Sequence, residues 1–190
     1  MNIFCYQFAH NFKLPSKSDI FPNDKIKNHS TLDRELLDQN FHKLLNEINI
    51  EVRWIEVHYK PPLPAFLKQS TYGSIHADGD IIDNKAKINF ILGGTASSMI
   101  WWEMKNKETM QARTVIDTTC VRPKNIKDIK EVHRESFKSA IVNVGQIHSI
   151  ENTVDERIAI ECILQDFKTK ERLDFFEAVN RFKTIEKILL

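Results

Sequence analysis

Trp54-Ile55-Glu56-Val57-His58-Tyr59, a short β-branched and aromatic run that ends at Pro61-Pro62, is where the chain changes character. Residues of this kind suit a pleated surface, and the run reads as a strand. Ser70–Ala77 and Lys87–Leu92 follow, bounded by Gly73, Gly79 and the Gly93-Gly94 pair. Met99–Met104, Ala112–Cys120, Ser139–Ile147 and Arg157–Asp166 complete the series. Short strands separated by turn residues predict an antiparallel sandwich or barrel. Ahead of them Pro15 and Pro22 interrupt any regular element, and Phe4, Phe8 and Phe12 suit an edge strand or a packed arm. Ser30-Thr31-Leu32-Asp33 has the character of a helix start, and Leu32, Leu36, Leu37, Phe41, Leu44, Leu45 and Ile48 predict an amphipathic helix over 31–48. The charged segment 122–138 reads as a loop or one short helix. From Lys170 the spacing of Leu173, Phe176, Val179, Phe182, Ile185 and Leu189 predicts a second helix. The expected class is α+β, mainly β, in a single domain over 1–190: an N-terminal arm and helix (1–50), a β body (51–167) and a C-terminal helix (168–190).

With 190 residues and 42% hydrophobic content the chain can build one real core, which argues against global disorder. Its formal net charge of +1 removes the electrostatic case for duplex nucleic acid, which needs a basic face. No apolar run approaches the roughly 18 residues a membrane helix needs. Met1-Asn2-Ile3-Phe4-Cys5-Tyr6 lacks the basic and apolar stretches of a secretory signal. Cys5, Cys120 and Cys162 show no CxxC spacing and read as unpaired thiols in a reducing, cytoplasmic compartment.

Chemistry enters at His76-Ala77-Asp78, just after Thr71-Tyr72-Gly73-Ser74-Ile75. Residues i and i+2 of a strand share a face, so imidazole and carboxylate project together as two ligands for a divalent metal. A third must come from a distant strand. Far downstream, His148 ends one strand and Arg157 opens the next. Paired as an antiparallel hairpin, the two would stand nearly opposite, with the guanidinium placed to grip a carboxylate beside the metal. Ala159 shares that face and is small, leaving room for a keto acid.

His76-x-Asp78, His148 and Arg157, in this order and in strand contexts, resemble the Fe(II)/2-oxoglutarate-dependent dioxygenase superfamily. Ile75-His76-Ala77-Asp78-Gly79, Ile88-Asn89-Phe90-Ile91-Leu92 and Asn143-Val144-Gly145-Gln146-Ile147-His148-Ser149-Ile150-Glu151-Asn152 resemble it too, over residues 50–167. The resemblance implies a double-stranded β-helix (jelly roll, cupin-like) core with flanking N- and C-terminal helices. It implies that His76, Asp78 and His148 hold Fe(II) and that Arg157 binds the distal carboxylate of 2-oxoglutarate. Many relatives carry Ser or Thr two residues after that arginine. Ala159 departs from this, so a second contact falls to another residue, with Tyr72 and Asn89 the candidates. The implied activity is a hydroxylase acting on a small molecule or peptide side chain with O2, 2-oxoglutarate leaving as succinate and CO2.

Two other readings share these residues. A cupin-type metalloenzyme would use the same ligands but assign Arg157 to its substrate. A non-enzymatic jelly-roll module would hold no metal, with His76 and Asp78 merely starting a turn. Asp80 has the parity of Asp78 and is a substitute ligand, although Gly79 marks a strand end. Of Trp101-Trp102, adjacent on a strand, at most one can line a pocket. His10, His29, His42, His58 and His133 have no ligand-like partner at short spacing and read as structural.

Overall fold

Alternation decides which way each strand of the β body faces. The computed structural model describes residues 2–62, 75–94, 97–113, 118–151 and 155–185. In the long strand β12 (Arg157–Asp166), Ile158, Ile160, Cys162 and Leu164 enter the main hydrophobic core, while Glu161 and Ile163 line a cavity on the other face. Its antiparallel neighbours β3 (Ile50–Lys60) and β5 (Ala86–Gly93) divide likewise. Ile55, Val57, Ile88 and Phe90 go to the core, whereas Glu56, His58, Lys60, Lys87 and Asn89 go to the cavity. With β1 (Cys5–Gln7), β10 (Ser139–Asn143) and β2 (His29–Leu32), these strands form a six-stranded antiparallel sheet in the order β1-β10-β5-β12-β3-β2.

The core face of this sheet is covered by α2 (Gln39–Glu47), α3 (Phe175–Phe182) and the N-terminal arm. Phe12 lies 4.7 Å from Phe41 and meets Phe90 edge-on at 5.7 Å, so arm, helix and sheet share one aromatic cluster. Each buried phenyl ring contributes roughly 1.5–3 kcal/mol of transfer free energy, which is why this face carries much of the stability. A short helix, α1 (Lys17–Ile20), closes the arm with a capping box from Ser16 and Asp19.

The cavity is closed from the other side by two smaller sheets. One has the order β11 (His148–Ile150), β6 (Met99–Met104), β9 (Ile129–Glu135). The other has the order β4 (Ala77–Asp78), β8 (Thr119–Pro123), β7 (Thr109–Arg113). A reciprocal backbone pair joins them: His76 N–H donates to the His148 carbonyl at 3.0 Å, and His148 N–H to the His76 carbonyl at 2.7 Å. The molecule is therefore α+β and mainly β, with antiparallel sheets. Among the described residues no helix is long and apolar enough to cross a membrane.

Several expected elements differ. The helix expected over 31–48 is a strand, β2, then a 3-10 turn at Arg34–Leu36, and only then α2, whose cap is Asp38 accepting from Asn40 N. Pairing of His29–Leu32 along the edge of β3 overrides the helical spacing there. Segment 122–138 holds the end of β8, a 3-10 turn and all of β9. β9 is an edge strand, and edge strands carry charged residues that hide them from pattern reading. The strand expected at Ala112–Cys120 is two, β7 and β8, and that at Ser139–Ile147 stops at Asn143. The C-terminal helix starts later than Lys170, which adopts φ 61°, and Asp174 caps it through the amides of Phe176 and Glu177. Residues 63–74 and 186–190 lie outside the described residues, and most of the strand expected at Ser70–Ala77 falls there.

Candidate metal centre

Ile75 and Ala77 pack with Ile147 in a small apolar cluster that includes Trp102 and Met104. Strand alternation then turns His76 and Asp78 into the cavity, and Gly79, at φ 98°, ends the strand. The turn between β10 and β11 docks on this segment: Asp78 N–H donates to the Val144 carbonyl at 2.8 Å, and Val144 N–H to the Lys85 carbonyl at 2.9 Å. A Cβ on Gly145 would lie 2.3 Å from Asp83 Oδ1, so the close approach needs glycine.

This framework brings His76, Asp78 and His148 together, each with a ligand atom within 4.8 Å of the others. His76 Nε2 is 3.3 Å from Asp78 Oδ1, and the two imidazole centroids are 4.7 Å apart. His148 Nδ1 is 2.9 Å from the Gln146 carbonyl, which can only accept, so Nδ1 carries the hydrogen and the Nε2 lone pair is left for a metal. Burial, reinforced by His76, pushes the His148 pKa down to about 4, the neutral form that metal ligation requires. Burial works against ionising Asp78, but Lys87 and His76 outweigh it and hold the carboxyl well below its usual range.

Lys87 organises the cavity floor. Its Nζ is 2.7 Å from Asp78 Oδ2, 2.9 Å from Glu56 Oε2 and 3.0 Å from Glu161 Oε2. Burial alone would lower the Lys87 pKa, yet the three carboxylates push it up. Holding Oδ2 leaves Asp78 Oδ1 toward the histidines, the orienting contact a carboxylate ligand needs. Glu56 Oε1 accepts from Trp54 Nε1 at 3.1 Å, and despite its burial the Glu56 pKa is held at about 2 by His58 and Lys87. Glu56, His58 and Glu161 form a second group of metal-competent geometry, but the Lys87 ammonium already contacts both of its carboxylates.

Arg157 is 2% exposed and donates from Nε to Ser97 Oγ at 3.1 Å. It does not pair with His148 across a hairpin as expected, because β11 belongs to a small sheet and β12 to the centre of the large one. Its route to the site is instead along the inner face of β12, past the buried Ala159 toward Glu161. Directly opposite stands Lys60, whose pKa falls to about 8 through burial and the facing Arg157. Asn89 lines the cavity with a buried amide oxygen that has no partner, but its register partner is Glu161, four residues along β12 from Arg157, about 13 Å of strand. Lys60 and not Asn89 is therefore the cross-strand neighbour of Arg157. Tyr72 lies outside the described residues.

Asp80 is 70% exposed and faces Lys85 at 3.9 Å, apart from the ligand cluster. Trp101 and Trp102 both serve packing, donating to the Asn143 carbonyl at 3.0 Å and Ser149 Oγ at 2.9 Å. His10 stacks on Phe12, and His133 on Phe4, in keeping with structural roles. His29 and His58 line the cavity instead, meeting edge-on at 4.1 Å. Sequence reasoning missed Lys60, Lys87, Glu56 and Glu161. The available signal was parity: Lys87 and Asn89 alternate with Ile88 and Phe90, as Glu56 and His58 do with Ile55 and Val57. Comparison of the chain with family models, curated proteins and solved structures gave no match.

Proposed function

We propose that this chain is an Fe(II)- and 2-oxoglutarate-dependent oxygenase, a hydroxylase of a small molecule or peptide side chain, built on a double-stranded β-helix. The observation that carries the reading is the His76–Asp78–His148 cluster, with His148 locked in the tautomer that offers Nε2 and Asp78 held ionised. Strand order supports the fold: β3-β12-β5-β10 forms one wall, while the His76–His148 pair aligns β4-β11-β6-β9 as the other. Such a pair of interleaved four-stranded walls is the arrangement a double-stranded β-helix requires.

His76, Asp78 and His148 would hold the iron beside the cavity. Iron with 2-oxoglutarate and O2 supplies an oxidant for C–H bonds when bound, at the expense of the keto acid, which leaves as succinate and CO2. Arg157 fits the distal carboxylate because its Nε is committed to Ser97, and among the described residues its terminal amino groups meet no acid. Lys87 orients Asp78. The three buried free thiols suit the reducing cytoplasm in which iron stays Fe(II).

Adding 2-oxoglutarate to the Fe(II) protein without O2 should produce a visible charge-transfer band, and admitting O2 should release succinate. His76→Ala should abolish both, and Arg157→Ala should weaken 2-oxoglutarate binding at least tenfold. Metal binding without a band would favour a cupin-type metalloenzyme that uses no keto acid. No stoichiometric metal would favour a binding module.

A further inference from the structure

Beyond the ligand cluster the cavity, about 670 Å³ in volume, contains two guanidinium groups that the oxygenase reading leaves unused. Arg172 follows β12 and returns along it, bridging to Gln165 at the end opposite Arg157. Its Nε and Nη2 are both buried without a hydrogen-bond partner. These two donors lie on one edge of the guanidinium and point in parallel, the arrangement that matches the two oxygens of a carboxylate. Arg122 sits on β8 on the face of Cys120, which opposes Asp78, and its Nε is also buried and unpartnered. Leaving charged donors buried and unpaired is costly, more so than for neutral ones.

The nearby acids do not answer these donors. Asp78, Glu56 and Asp83 act on Arg172 electrostatically, yet Asp78 and Glu56 lie 2.7 and 2.9 Å from Lys87, and Asp83 lies 3.0 Å from Lys85. Among the described residues no carboxylate comes within ion-pair distance of Arg172 or Arg122. The cavity is thus cationic toward both ends of β12, with Lys60, which stands opposite the buried Arg157, at one end and Arg172 at the other, and the candidate ligand cluster lies on the Arg172 side, at the level of Lys87 and Ile163.

We propose that Arg172, assisted by Arg122, binds the carboxylate of the primary substrate, which is therefore a small carboxylic acid oxidised at a carbon near that group. This assignment rests on the oxygenase reading for the chemistry, but the carboxylate site itself does not depend on it. Arg157 serves the cosubstrate and Arg172 the substrate, so two acids share one cavity without competing for one cation.

The test uses the full chain and ligand-observed NMR with butyrate, its neutral isostere butyramide, and inorganic phosphate. In the metal-free protein butyrate should bind at least tenfold more tightly than butyramide, and Arg172→Gln should remove at least tenfold of that affinity. Arg172→Lys keeps the charge but not the paired donors and should lose a similar factor, which preserves the test if Arg172→Gln does not fold. With Zn(II) and saturating 2-oxoglutarate present, butyrate binding should persist, and Arg172→Gln should change 2-oxoglutarate affinity less than twofold. Equal binding of butyrate and butyramide, indifference of butyrate to both Arg172 variants, or tighter binding of phosphate would overturn the proposal. So would a tenfold loss of 2-oxoglutarate affinity in Arg172→Gln, which would place Arg172 on the cosubstrate. Butyrate binding through Arg172 in a protein that takes up neither metal nor 2-oxoglutarate would sink the oxygenase reading and leave the carboxylate site standing.

Discussion

Lys87 concentrates the electrostatics of this molecule in one ammonium group. Three carboxylates, those of Asp78, Glu56 and Glu161, lie within 3.0 Å of it. Removing one member of a buried charge network leaves the others uncompensated, a loss of roughly 3–5 kcal/mol. Lys87→Met should therefore lower the urea unfolding free energy of the metal-free protein by about that much, and a loss below ~1 kcal/mol would mean that water reaches the carboxylates. A divalent metal should recover part of the loss, since it would supply positive charge beside Asp78. At this scale the candidate ligands were legible and their supports were not. His76 and Asp78 share a face because strands alternate, a rule that needs no tertiary knowledge. The Lys87 contacts depend on which strands become neighbours, and no spacing in the sequence states that β5 lies beside β12.

At the scale of elements, caps and edges explain both successes and failures. Asp174 caps α3 by accepting from Phe176 N at 2.8 Å and Glu177 N at 3.2 Å. Asp174→Ala should cost about 1 kcal/mol of stability in urea denaturation, and Asp174→Asn should restore most of it, because both side chains cap well. The helix buries Phe175 and Phe182 against the sheet, so its apolar periodicity was readable in advance. The helix expected over 31–48 would start at Thr31, yet Thr31 and Leu32, with His29 and Ser30, pair along the edge of β3. The isolated edge decides there, since four residues of weak helical preference cannot compete with a ladder that also shields β3. β9 was missed for the converse reason: its charges suit an exposed edge and disguise a strand as a loop.

The whole molecule places His29 and His148 where protonation opposes folding. Burial, then His58, lowers the His29 pKa from 6.5 to about 4, and burial with His76 lowers that of His148 to about 4 as well. A histidine with a depressed folded pKa binds fewer protons in the native state than in the unfolded chain between those values. Stability is then full above pH 6.5 and is lost as pH falls toward 4. Urea midpoints of the metal-free protein should fall across that window, and His29→Asn should flatten the slope. A midpoint independent of pH from 7.5 to 4.5 would refute this account. The sequence by itself determined the α+β class, the alternating faces of the strands and the pairing of His76 with Asp78, because these follow from local periodicity. Only the tertiary structure decided that His148 meets them through a backbone pair with His76, that Arg157 lies opposite Lys60, and that Arg172 returns to the cavity. Those juxtapositions join residues far apart in the chain, and they are settled by strand order and the burial of one sheet face, which no local pattern encodes.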